Sequence, residues 1–143
     1  PAVVFFRTAP PVDPVALVRR ICVDAARGPR RTRFVQRLAP VTRLARASPE
    51  GLRRVAEEVL APHFHGEGVV GRKFAIRPNL RNHHVLGRDA IIAQVAALVG
   101  PPHVVDLKGY ELLVTVEVYQ NVCGVSVLDD SFERLKRYNL AEI

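Results

Sequence analysis

The chain has 143 residues, 48% of them apolar, and a formal net charge of +7. That is enough apolar material for one core or two small subdomains, which excludes a disordered chain. No run of 18 apolar residues occurs, which excludes a membrane-spanning helix.

The charge is distributed unevenly. Residues 1–88 hold 17 Arg or Lys against 6 Asp or Glu, a balance of +11, whereas residues 89–143 hold 4 against 8, a balance of −4. Eighteen of the 21 cations are Arg, whose planar fork grips phosphate oxygens two at a time and stacks on bases. The pattern predicts a basic face for a polyanion, with the acidic end turned elsewhere or toward a protein. Cys22 and Cys123 lie in apolar runs without a CxxC or Cys/His partner, and are expected to be small core residues in a reducing compartment. No secretory leader is visible and the first residue is Pro, so the chain is expected to be an excerpt of a longer protein.

In chain order, Ala2–Arg7 (AVVFFR) is β-branched and aromatic and predicts a strand. After the Pro10-Pro11 turn, Asp13 is a candidate N-cap with Pro14 at the first helical position. Leu17, Val18, Ile21, Cys22 and Ala25 then recur at helical spacing until Gly28-Pro29. Thr32–Val41 predicts a second strand, at an edge because Pro40 cannot donate to a ladder, with Arg33, Arg37 and Arg43 set on one face. Ser48-Pro49 opens a second helix that runs through Ala61 and stops at Pro62. His63 and His65 flank Phe64 at a spacing two ligands could share, but no third ligand follows, so no metal site is expected.

The glycine-rich turn 66–71 leads into the most informative stretch of the sequence. Lys73–Arg77 alternates with period two, predicting a strand with Phe74 and Ile76 inward, Lys73, Ala75 and Arg77 outward, and an end at Pro78. Around it lie Arg72, Lys73, Arg77, Arg81 and Arg88, interleaved with Asn79, Asn82, His83 and His84, donors suited to phosphate, ribose hydroxyls or base edges. Arg88–Val99 predicts a helix buried on most sides and ended by Gly100-Pro101-Pro102. His103–Leu107 predicts a short strand, Leu112–Tyr119 a strong one, and Val122–Leu128 another. In that last strand the small Gly124 and Ser126 would allow a close backbone approach. Ser131–Ala141 predicts a short helix or tail. The order β-α-β-α-β-α-β-β-β-α predicts an α/β or α+β sheet.

Catalytic patterns are missing: GxGxxG, a Walker A loop, GxSxG and HExxH do not occur. GVVGRK resembles a phosphate loop only loosely, since a strand rather than a helix follows. Binding is the remaining function class, and few aromatics are available as stacking platforms.

The segments KFAIRPNLRNH, RDAIIAQVAALVG, HVVDLKGYELLVTVEVYQNVCGVSV and RLKRYNLAEI closely resemble the THUMP-domain adapter proteins of eukaryotic tRNA acetylation. The resemblance implies a THUMP α/β domain at 51–130, part of a ferredoxin-like α+β domain at 1–50, and a C-terminal tail or short helix at 131–143. It implies a non-catalytic, cofactor-free protein without a small-molecule substrate. Such a protein binds tRNA, serine and leucine species, and works with a separate RNA cytidine acetyltransferase that forms N4-acetylcytidine in the D-arm. Carried over by position, Lys73, Arg77, Asn79, Arg81, Asn82 and His83 become the expected RNA contacts. The implied location is the nucleus or nucleolus, with the cytoplasm as the other compartment. Two further readings stay open. The chain would be the RNA-binding portion of a methyltransferase or thiouridine-forming enzyme, or its acidic Asp129–Glu133 segment and tail would dock on the acetyltransferase.

Overall fold

The computed structural model describes residues 3–29 and 34–143. Helix α1 (Pro14–Arg27) starts as its sequence dictates: the Asp13 carboxylate accepts the Val15 N–H at 3.2 Å, and Pro14 occupies a position whose N–H would have no helical partner. Strand β1 (Arg43–Arg46) precedes helix α2 (Pro49–Phe64), which Ser48 caps by accepting the Gly51 N–H at 3.0 Å. Strand β2 (Lys73–Arg81), helix α3 (Arg88–Val99), strand β3 (Val104–Val105), strand β4 (Leu112–Tyr119) and strand β5 (Val122–Asp129) follow. The short helix α4 (Ser131–Arg134) and a single tight turn at Lys136–Tyr138 close the series.

The five strands form one sheet in the order β1-β5-β4-β2-β3, antiparallel from β1 to β4 and parallel from β4 to β3. Helices α2 and α3 cover one face, over a core that includes Leu52, Leu60, Phe74, Ile91, Val116 and Val125. Helix α1, the 37–42 segment and the C-terminal residues cover the other, around Cys22, Ala75, Leu113, Leu128 and Tyr138. Both cysteines are free and buried, as expected.

Several sequence expectations are corrected. Residues 3–7 form no strand; Val4, Phe5 and Phe6 are exposed, with Phe5 resting edge-on against Tyr119 at 5.4 Å. A β-branched run becomes a strand only where a neighbour offers its ladder, and here none does. The described part of 32–41 holds a single bridge, Arg37 to Asn139, and the strand begins later, at Arg43. Helix α2 runs past Pro62 to Phe64. A proline there removes one bond in the last turn, and Phe64 is held by ring contacts to Phe74 (5.7 Å) and His103 (4.9 Å). Helix α3 buries one stripe, Ile91, Val95 and Val99, and leaves its outer face of alanines in solvent because no described residue packs outside the layer.

Strand β2 also runs through its proline. The carbonyls of Lys73 and Arg81 accept N–H groups from the β4 side (Glu111 at 2.9 Å, Gln120 at 3.0 Å), while Arg72 and Phe74 accept from the β3 side. Even-numbered residues therefore turn their backbone toward β3, which ends at Val105, so Pro78 lacks an N–H only where the sheet edge is open. Its carbonyl, on that same side, accepts Arg88 Nη1 at 2.8 Å. Ala75, expected outward, is buried because α1 and the C-terminal residues cover its face.

The C-terminal residues are integral to the fold. Lys136, Arg137 and Tyr138 take left-handed φ values of 54°, 55° and 59°. Three such residues cost roughly 1–2 kcal/mol each. Burial of the Tyr138 ring and of Leu140 works against this cost, roughly 1.5–3 kcal/mol for the leucine. The Leu38 N–H to Tyr138 C=O bond (3.1 Å) and the Leu140 N–H to Gln36 C=O bond (2.5 Å) tie this turn to the chain entering the 37–42 segment. That segment crosses β5 where side chains are smallest: Ser126 Oγ donates to Pro40 C=O at 2.8 Å and accepts the Thr42 N–H at 2.9 Å. A Cβ on Gly124 would strike Val41 Cγ1 and Leu44 Cδ2, which explains the small residues.

Candidate nucleic-acid interface

Alternation along β2 puts Lys73, Arg77, Asn79 and Arg81 on the sheet face away from α2 and α3, in register with Thr115, Glu117 and Tyr119 of β4. The left-handed turn and the 37–42 segment rise beside this row. Between them lies a cleft of about 110 Å³ lined by Arg37, Arg77, Asn79, Thr115, Glu117 and Arg137, with the Phe132 ring on one wall.

The arginines of the cleft differ in how they are held. Arg77 lies 3.6 Å from the Glu133 carboxylate and 5.7 Å above the Phe132 ring, which fixes its guanidinium. Arg137 Nε donates to Glu133 at 3.0 Å, and Tyr110 donates to the other Glu133 oxygen at 3.1 Å. Burial acts to raise the Glu133 pKa, but these hydrogen bonds and the charges of Arg137 and Arg77 outweigh it and hold the carboxyl below its usual range. Burial and the Glu133 bond push Tyr110 up to about 12. Arg81 and Arg37 make no side-chain hydrogen bond among the described residues; both guanidiniums act on Glu117 through space. Glu117 accepts Asn79 Nδ2 at 3.0 Å, and burial raises its pKa despite Asn79 and the two arginines.

Other expected site residues are placed differently. Lys73 and Arg72 are exposed and make long pairs, 4.0 Å to Asp106 and 3.8 Å to Glu111. Asn82 takes φ 52° at the end of β2, and His84 is exposed. His83 has both ring nitrogens engaged within the protein: Nδ1 donates to Gln120 C=O at 2.5 Å and Nε2 accepts the Leu86 N–H at 2.7 Å. Arg88 is turned to the Pro78 carbonyl. The expectation that Arg33, Arg37 and Arg43 share a face is corrected for the pair that can be seen. Arg37 borders the cleft, whereas Arg43 lies on the opposite sheet face, 3.6 Å from Glu58 of α2. They belong to different stretches of chain, one crossing the sheet and one within it. Arg33 lies outside the described residues.

Sequence reasoning missed Arg137 and Glu117 as cleft residues. The available signal was the basic run RLKR at 134–137 directly after an acidic one. Among the described residues no group of His, Cys, Asp and Glu could hold a metal, and no helix is long and apolar enough to cross a membrane. His103, near His65, is buried as a clip, donating to Phe64 C=O at 2.7 Å and accepting the Arg72 N–H at 3.0 Å.

A family model described as the THUMP domain matches residues 46–128. The chain belongs to the THUMP-domain family. It is 42% identical over 144 residues to an uncharacterized protein of Schizosaccharomyces pombe, covering 100% of this chain and 49% of that protein. It is 35% identical over 152 residues to the Saccharomyces cerevisiae protein named tRNA acetyltransferase TAN1, covering 99% and 53% respectively. The chain thus spans about half the length of these curated relatives. Among solved structures, the THUMP domain of THUMP domain-containing protein 1 superposes with a TM-score of 0.50 at 28% identity, over 57% of this chain and 84% of that one.

Proposed function

We propose that this chain is the tRNA-binding part of an adapter that presents tRNA to a separate RNA cytidine acetyltransferase, with serine and leucine tRNAs as its cargo and N4-acetylcytidine in the D-arm as the product. The observation that carries the reading is the match of 99% of this chain to about half of a relative named for tRNA acetylation, in a chain whose β2 face gathers arginines. On this reading residues 51–130 are the THUMP unit, 1–50 belong to a ferredoxin-like half, and 131–143 serve as a tail that braces the RNA face. Arg72, Lys73, Arg77, Asn79, Arg81, Asn82 and His84 make or border the RNA contacts, and the protein acts in the nucleus or nucleolus, or else in the cytoplasm. Retrieval of RNA crosslinked to the chain, followed by sequencing, tests it: enrichment of serine and leucine tRNAs supports the cargo, and uniform recovery of all tRNAs removes it.

The name of the budding-yeast relative favours a second reading, in which the protein is itself the acetyltransferase. Acetyl-CoA turnover with tRNA but without a second protein would establish that reading; turnover only after the acetyltransferase is added supports the adapter.

A further inference from the structure

We propose that the cleft between β2, β4 and the left-handed turn receives one unpaired nucleobase bearing an exocyclic amine, read by Glu117 and Asn79, while the surrounding arginines hold the adjoining phosphates. The proposal rests on the RNA-binding reading and deepens it at that site. Size is the first argument. About 110 Å³ holds several waters but falls far below the ~300 Å³ of a drug-sized pocket, so one monomer unit enters and no duplex does. Unpaired bases, unlike paired ones, can be turned out, stacked on aromatic rings or guanidinium planes, and bonded along their edges.

Charge is the second. A cleft built for a bare phosphate would present donors alone, yet this one sets the Glu117 carboxylate among Arg37, Arg77 and Arg81. A phosphate seated there would meet a like charge. One Glu117 oxygen accepts from Asn79, and the other takes no hydrogen bond among the described residues. A carboxylate in that state accepts from an amine, as acidic side chains accept from cytosine N4. Asn79 keeps its amide oxygen as a further acceptor. The walls fit a flat ring: the Arg77 guanidinium lies over the Phe132 ring at 5.7 Å, and Arg37 and Arg137 stand at the rim with, among the described residues, no carboxylate other than Glu117 and Glu133 to hold them. Uracil offers no exocyclic amine and should be the base least preferred.

The test is fluorescence anisotropy with short oligocytidylate, oligoadenylate and oligouridylate, alongside tRNA and heparin, on the whole chain. The wild type should bind oligocytidylate at least about fivefold more tightly than oligouridylate. Glu117→Ala should abolish that preference, and Glu117→Gln, which keeps a neutral acceptor, should retain part of it. Equal binding of the two pyrimidine oligomers, binding of neither, or a uniform tightening of both in Glu117→Ala or Glu117→Gln would overturn the proposal; the last result would assign the cleft to phosphate. Failure to distinguish tRNA from heparin defeats the RNA reading itself, whereas tRNA selectivity with equal pyrimidine binding defeats only the base pocket.

Discussion

His83 tests whether the loop after β2 is a freely presented set of RNA-contacting side chains or a braced one. Its ring joins the loop to the β4–β5 turn through Gln120 C=O at 2.5 Å and back to its own loop through the Leu86 N–H at 2.7 Å. Leu86 is buried, so the His83→Ala variant leaves an amide without its acceptor, at a cost of about 1–3 kcal/mol; the exposed Gln120 carbonyl turns to water at little cost. For a chain of this size the loss corresponds to a fall in Tm on the order of 3–10 °C. The assay is a thermal melt followed by circular dichroism, paired with tRNA anisotropy well below the transition. The expected result is a lower Tm with tRNA affinity reduced less than in Arg81→Ala. A variant that melts with the wild type yet loses more affinity than Arg81→Ala would make the ring an RNA ligand rather than a brace.

Arg77→Ala with Arg81→Ala should weaken tRNA binding and flatten the dependence of log K on log salt by roughly 0.9 for each phosphate no longer neutralised, measured by anisotropy across a salt series; an unchanged slope rules out phosphate binding by this pair. Gly124→Ala should lower stability by about 1–3 kcal/mol in urea unfolding, because the new methyl meets Val41 and Leu44, and an unchanged midpoint would show that the 37–42 segment moves aside freely. Glu117 has a raised pKa in the folded state, so its carboxyl favours folding when protonated and loses that contribution as pH rises from 4.5 through its folded value. Glu117→Gln should therefore melt at or above the wild type at pH 7, with the difference vanishing below pH 4.5; a lower melt at pH 7 would mean that the ionised carboxylate is needed to hold its arginines. Glu133 runs the other way: its lowered pKa gives a contribution present above 4.5 and lost as pH falls through the folded value, so Glu133→Gln should flatten the acid limb of the stability profile.

The core of the fold was legible because its signals are local. The period-two run at 112–119, the apolar run at 122–128, the capping pairs Asp13-Pro14 and Ser48-Pro49, and the glycine at 100 act within a few residues, and the elements they predict are present. The errors arose where a distant partner decides. Pro78 reads as a strand end unless the neighbour on its N–H side is known to stop at Val105. Pro62 reads as a helix end unless Phe64 is known to be gripped by Phe74 and His103. Ala75 reads as an outward position unless the other sheet face is known to be covered. The arginines of β2 were visible as a cluster, but the cleft was not. Arg37, Glu117 and Arg137 come from three remote stretches, joined only by the register of β2 with β4 and by a left-handed turn that no residue type at 136–138 announces.

On the proposed RNA-binding function, RNA meets the sheet face bearing Arg77, Asn79 and Arg81, not the face covered by α2 and α3. Ultraviolet crosslinking of the chain to tRNA, with crosslinked peptides mapped by mass spectrometry, tests this most directly. Crosslinks are expected within 73–82 and 132–138. Crosslinks confined to the outer surfaces of α2 and α3 would contradict it.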